Sequence, residues 1–367
     1  MSVQKDDKAV GPKEAEGDQL TWHVPSEPPF RLAGFAWFQH DRVYRRLPVT
    51  PKWPLPEAVD NLANCTAGGQ IQFQTNSRKV AVKVRLAAPA SMDHMPQTGS
   101  AGFDCYLGRP KRQRYWSTTR FPFGADSYTC SLLDLPERAK RNVTLNFPLY
   151  QGVKEVLVGM EAGAQVQAPP PYYDNRPIVV YGTSITQGGC AARPGMAFTN
   201  ILSRRLNRPF VNLGFSGSGR GEPEVARTIA EIPDPACLVL DYEGNAGGGL
   251  LEQTLGGFID ILREAHPETP ILVVSRIRMA PDCFSLSGAR DRDGKRGFQR
   301  RTVQGRRAAG DANIHFLDGA RLLGGDFDEC TVDGVHPTDL GFWRMAKGLE
   351  PVLKDILGAA CQSTALP

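Results

Sequence analysis

The sequence predicts an α/β protein in which an antiparallel β-sandwich of jelly-roll type precedes a doubly wound parallel sheet of five strands. Three observations predict it. Between residues 22 and 150, short runs alternate apolar with polar side chains and are separated by turn clusters, as antiparallel strands with one wet face do. Beyond a proline-rich stretch, apolar runs alternate with amphipathic segments, the rhythm of parallel strands joined by crossover helices. Finally, 367 residues, 41% of them hydrophobic, exceed what one core usually covers, so two units of unequal kind are expected.

Residues 1–18 are charged and poor in large apolar groups and are expected to form a disordered tail. A sandwich unit is expected over 19–167, with strands at Gln70–Gln74, Lys79–Arg85 and Val143–Phe147 and a last strand at Val153–Gly159. Ala168-Pro-Pro-Pro171 opens a stiff linker, 168–176, ahead of an α/β unit over 177–360. Its strands are expected at Ile178–Tyr181, Phe210–Leu213, Cys237–Asp241, Ile271–Ser275 and Ile314–Leu317. Helical patterns run over 194–206 and 250–265, the latter the longest between strands, and a closing helix spans Asp339–Leu357.

The net charge of +4 is mild for this length, and no basic run with interleaved aromatics marks a nucleic-acid face. Arg300-Arg301 and Arg306-Arg307 read as a solvated helix face. Eight cysteines lie scattered without a C-x-x-C pair, which argues for free thiols over a zinc site or a disulfide framework. No apolar run is long enough for a membrane span, and no signal segment is visible, so a cytoplasmic location is the default expectation. The five tryptophans are expected in cores.

The candidate chemistry sits at strand ends. Tyr181-Gly-Thr-Ser184-Ile-Thr-Gln-Gly188 follows the first parallel strand, on the edge of the sheet that faces the ligand crevice. A serine hydroxyl becomes a nucleophile when a base takes its proton and a carboxylate orients that base. Of six histidines, His336 in Asp333-Gly-Val-His336-Pro has an acid three residues before it, in a loop at the same edge. Two further loops at this edge, Asn212-Leu-Gly-Phe-Ser-Gly217 and Asp241-Tyr-Glu-Gly-Asn245, offer a backbone N–H and a side-chain amide. A dinucleotide-binding reading fails because no G-x-G-x-x-G follows a strand, and a P-loop reading fails for want of Gly-Lys-Ser/Thr.

In this order the four blocks resemble those of the SGNH (GDSL-like) hydrolase superfamily. The branch with an N-terminal β-sandwich carries a G-x-D-L-Y motif, which Gly102-Phe-Asp104-Cys-Tyr106 nearly matches. The resemblance implies a flavodoxin-like sheet, Ser184 as nucleophile, His336 as general base and Asp333 as its orienting acid. It also implies an oxyanion hole of the Ser184 and Gly217 N–H groups and the Asn245 side chain, with no metal or organic cofactor. Two departures stand out: Thr183 where the family usually has aspartate before the serine, and Ala246 where many members have aspartate after the asparagine. Arg193 is a candidate either for substrate binding or for pairing with an acid of the sandwich, while Asp104 and Tyr106 are expected to hold the sandwich or its interface.

These readings converge on a serine esterase that removes a short acyl group, most simply acetyl, from a carbohydrate or another hydroxylated compound through an acyl-enzyme. The partner expected is thus a small-molecule or glycan ester, with neither nucleic acid nor membrane. An acyltransferase using the same acyl-enzyme and a non-catalytic glycan-binding protein are the alternatives. The sequence leaves the oligomeric state open.

Overall fold

A computed structural model describes residues 20–363, with side chains through residue 358; the expected tail at 1–18 and the Cys361 side chain lie outside what it describes. The alternating runs pair into two antiparallel sheets. One is ordered Leu20–His23, Val153–Glu161, Lys79–Leu86, Ser127–Asp134. The other is ordered Val166–Gln167, Gln70–Thr75, Arg141–Asn146, Asp104–Leu107, Arg114–Thr118, with Arg31–Ala33 also on Gln70–Thr75. Val153–Glu161 is therefore not the last strand, because the two-residue strand Val166–Gln167 follows it and pairs with Gln74 and Thr75; it is too short to show a period. Facing residues such as Phe73 and Val143, and Val82 and Val158, fill the sandwich core.

The polar face of the second sheet is not wet. Gln70 and Gln72 are buried in a side-chain ladder: Gln72 donates to Gln70, Gln70 donates to Asn146, and Asn146 donates to Asp104. The polar alternation was legible, but what covers it is the other half of the chain. The linker is not a free spacer either. The Arg31 guanidinium donates to the Pro170 carbonyl at 2.9 Å and lies 3.9 Å from the centre of the Tyr172 ring.

The second half forms one five-stranded sheet in the order Phe210–Gly214, Ile178–Gly182, Cys237–Asp241, Ile271–Val274, Ile314–Leu317, with every pairing parallel. This 2-1-3-4-5 order is flavodoxin-like. Successive residues of the central strand alternate between two cores. Ile178 and Val180 pack with Phe198–Leu206 and the closing helix Asp339–Ser363, while Val179 and Tyr181 pack with Pro223–Ala230 and Leu250–Ala265. Both faces are covered, which is why these strands read as continuous apolar runs.

The longest crossover helix is Leu286–Ala308 rather than 250–265. Its sequence is so polar, with Lys295, Gln299 and Val303 as its buried residues, that it carries little apolar stripe to recognise. Its arginines are not simply a solvated face: Arg306 donates to Asp260 at 2.7 Å, and Arg307 donates to the Ala312 and Ile314 carbonyls. The tryptophans also depart from expectation, since none is fully buried; Trp116 and Trp343 are more than two-fifths exposed. No described helix is long and apolar enough to cross a membrane, and the described cysteines are free thiols.

Candidate active site

Strand register sets the site. Gly182, the last residue of the central strand, sits opposite Gly214 on one side and Asp241 on the other, so the loops that follow three strands leave the sheet at one level. Gly182 has no room for a side chain, because a Cβ there would come within 2.1 Å of Thr186 Oγ1. Thr183 then caps a one-turn helix, Ser184–Gln187, its hydroxyl accepting the Ile185 N–H. Threonine thus meets the helix-start donor that an aspartate could also meet, without adding charge. Ser184 is buried but not sealed, at 8% exposure. Beneath it Asp241 accepts the Thr186 hydroxyl at 2.9 Å, and burial pushes the Asp241 carboxyl up to about 7.

The Asp333–His336 loop is closed by a bridge between Thr331 and Pro337 and by the Val332 N–H donating to the His336 carbonyl at 2.9 Å. Inside it one oxygen of Asp333 accepts the Val335 and His336 N–H groups at 3.0 and 2.7 Å. The other lies 2.7 Å from His336 Nδ1. Partial burial would raise the Asp333 carboxyl, but the His336 N–H, the His336 ring and the Val335 N–H outweigh it and hold it at about 2. A carboxylate only accepts, so His336 carries its hydrogen on Nδ1. Its Nε2 lies 2.9 Å from Ser184 Oγ. Residues 152 positions apart thus meet in one hydrogen-bonded chain of hydroxyl, imidazole and carboxylate.

Gly217 is exposed, with φ of +65°. Its loop is anchored by the Ser216 N–H donating to Gln187 Oε1 at 3.1 Å and by the Ser218 N–H donating to the Phe215 carbonyl. Among the described residues, the N–H groups of Ser184 and Gly217 have no hydrogen-bond partner. Asn245 is placed differently from a free donor: its Nδ2 donates to the Ser218 carbonyl and, at 3.4 Å, to that of Phe215. In this state the amide grips the Gly217 loop. Neighbouring Glu243, 2% exposed, accepts the Arg276 N–H and the Gln299 side chain at 2.9 and 2.6 Å, which pins the Asn245 turn.

The sandwich reaches the site through residues that no local pattern marks. The Tyr150 hydroxyl donates to the Ser184 carbonyl at 3.2 Å. His94 lies beside His336 with ring centres 5.6 Å apart. Both come from irregular loops between strands, where no periodicity points inward; the one local cue was Asp93 next to His94. Arg193 joins the two halves instead of standing free toward substrate. It donates to Asp104 at 3.2 Å and to the Tyr106 hydroxyl, and its guanidinium lies 3.7 Å from the centre of the Tyr115 ring. The Gly195 N–H donates to the same Asp104 oxygen at 2.7 Å, an approach a Cβ at residue 195 would block, at 2.6 Å from it. A cavity of about 640 Å³ lined by Val303, Phe316, Val352 and Ile356 shares no residue with this arrangement.

Fold and site together define an SGNH-type hydrolase. Residues 175–354 match the GDSL-like lipase/acylhydrolase family, and residues 20–166 match the GxDLY domain described as the N-terminus of SGNH-hydrolase-type esterases. A solved structure described as a GDSL-like lipase from Bacteroides ovatus is 30% identical, with a TM-score of 0.84 over 92% of this chain and 98% of its own. The salicylyl-acyltransferase SsfX3 of a tetracycline biosynthetic pathway shares the fold at 22% identity and TM-score 0.71, covering 93% and 97%. A family two carbohydrate esterase from Cellvibrio japonicus shares it at 13% and 0.59, covering 92% and 98%. No curated protein matches the chain at a significant level. The chain belongs to the GDSL-like lipase/acylhydrolase family, in the form that carries a GxDLY domain in front.

Proposed function

We propose that the protein is a serine esterase that removes a short acyl group, acetyl foremost, from a hydroxylated substrate such as a carbohydrate. The observation that carries this is the continuous chain from Ser184 Oγ through both ring nitrogens of His336 to Asp333. His336 Nε2 takes the serine proton as Oγ attacks the ester carbonyl, and Asp333 stabilises the imidazolium that forms. The negative charge on the carbonyl oxygen falls to the unpartnered Ser184 and Gly217 N–H groups, with the Asn245 amide turning from its long contact with Phe215 as third donor. His336 then protonates the departing alcohol and activates the water that frees the acid.

The fold likeness to carbohydrate esterases supports a sugar as the alcohol. The test is steady-state hydrolysis of p-nitrophenyl acetate, butyrate and octanoate, followed by acetate release from acetylated oligosaccharides. Turnover that falls with chain length and disappears in Ser184→Ala is the expected result. Full turnover by Ser184→Ala refutes the mechanism, a preference for octanoate refutes the short acyl group, and a product ester formed with an added alcohol in place of acetate makes the protein a transferase.

A further inference from the structure

A second constellation shares the mouth of the site. One ligand atom each from His94, Cys190 and His336 can be chosen so that all three lie within 4.8 Å of one another. Cys190 follows the nucleophile turn, His336 ends the Asp-x-x-His loop, and His94 comes from the sandwich. Both histidines are prepared alike. His94 Nδ1 lies 3.0 Å from Asp93 Oδ1, and His336 Nδ1 lies 2.7 Å from Asp333 Oδ2. Each carboxylate holds the hydrogen on Nδ1 and leaves the Nε2 lone pair available. A carboxylate behind the outer nitrogen is what metal-binding histidines characteristically have. The third donor is a sulfur, which favours soft cations over magnesium or calcium.

We propose that His94, Cys190 and His336 bind a soft divalent cation, zinc being the probe, and that the bound ion switches the esterase off. Zinc–nitrogen bonds of about 2.0–2.1 Å and a zinc–sulfur bond of about 2.3 Å place tetrahedral ligand atoms roughly 3.3–3.6 Å apart. The observed group therefore needs to close by about an ångström, and His94, its most exposed member, is the one assigned that shift. As the ion binds, the Cys190 thiol gives its proton to solvent and the sulfur becomes a thiolate ligand. The fourth position stays open to water. His336 Nε2 cannot both bond the ion and accept the Ser184 proton, so occupation and catalysis exclude one another. The inhibitory half of this proposal rests on the esterase reading; the binding half does not.

The experiment titrates the untagged full-length chain with cobalt(II), whose bond to a thiolate gives a ligand-to-metal absorption band, and separately measures zinc inhibition of p-nitrophenyl acetate hydrolysis. One equivalent of cobalt should produce the band. It should vanish in Cys190→Ser, persist in Cys283→Ser and Ser184→Ala, and need at least tenfold more cobalt in His94→Ala. Zinc should inhibit reversibly, with chelator restoring the rate. Referred to each variant's own metal-free rate, the half-inhibiting zinc concentration should rise at least tenfold in His94→Ala and Cys190→Ser. A band unchanged in Cys190→Ser, or equal cobalt affinity in His94→Ala, overturns the site. A band with the expected variants but an esterase indifferent to zinc overturns the switch. A protein that shows no turnover when metal-free but gives the band on addition of cobalt counts against the esterase reading and leaves the site standing.

Discussion

Replacing Asp104 with alanine should loosen the joint between the two halves of the molecule. Asp104 is fully buried and receives three donors: the Arg193 guanidinium, the Asn146 amide and the Gly195 N–H. Burial pushes its carboxyl up and Arg193 and Asn146 oppose this, while the nearby tyrosines and Asp104 more than offset burial in keeping Arg193 protonated. Removing the carboxylate leaves a largely buried cation without its counter-ion, a loss of about 3–5 kcal/mol. The orphaned Gly195 N–H alone accounts for about 1–3 kcal/mol of comparable loss and is partly contained in that figure. Out of a typical stability of about 5–15 kcal/mol this is large. The assay is urea unfolding followed by tryptophan fluorescence, with p-nitrophenyl acetate turnover measured at each concentration. Asp104→Ala should lower the unfolding free energy by most of that amount, and the double variant Asp104→Leu/Arg193→Met should recover part of it, since the Arg193 charge is then no longer left without its counter-ion. A single variant within about 1 kcal/mol of wild type, or a double variant no better than the single, would refute the view of this pair as a structural joint.

Ser184→Ala should abolish turnover and covalent labelling by an organophosphonate while leaving the unfolding midpoint in place, both read on the same preparation. Asp333→Asn should lower kcat by about 10²–10⁴-fold with KM little changed, because the base persists but loses its orientation. Since the folded Asp333 carboxyl sits at about 2 against an ordinary value of 3.8, its contribution to stability is present above about pH 4 and is lost as the pH falls toward 2. With a side chain 36% exposed, solvent screening limits that contribution to about 1 kcal/mol, so unfolding curves of Asp333→Asn and wild type should differ at pH 7 and converge near pH 2. Asn245→Ala should cut kcat about 10²–10³-fold; an unchanged kcat removes Asn245 from the oxyanion hole. Tyr150→Phe, which deletes the bond to the Ser184 carbonyl, should cost about 1 kcal/mol in unfolding and lower kcat severalfold, and identical kinetics would deny the sandwich any hold on the nucleophile.

What the sequence made legible was what it encodes locally. Five parallel strands showed as apolar runs because each is covered on both faces, and Asp333 and His336 could be paired because they stand three positions apart in one loop. Ser184 and His336 are 152 residues apart, yet each lies just beyond a strand or before a helix that could be recognised, so the sheet's directionality brought them to one edge. The parts that escaped are those set by packing between the halves. Arg193 faced two equal choices until Asp104 was seen beside it. Tyr150 and His94 lie in loops without a period. Arg46 is fully buried and donates to the Asn212 and Gly214 carbonyls at the end of a parallel strand, a place no local pattern marks. The helix at 286–308 was underestimated because its anchors are polar.

Ala67, Met95 and Leu149 of the sandwich belong to the same apolar cluster as Ile178, Val180 and the closing helix. The seam between the halves is therefore a shared interior, not a contact between two finished surfaces. Gene fragments beginning near residue 170 would bare that interior to solvent and tend to aggregate. Swapping sandwiches among relatives would likewise demand that matching residues travel on both sides of the graft, so in this lineage the two modules are bound to diverge as a pair.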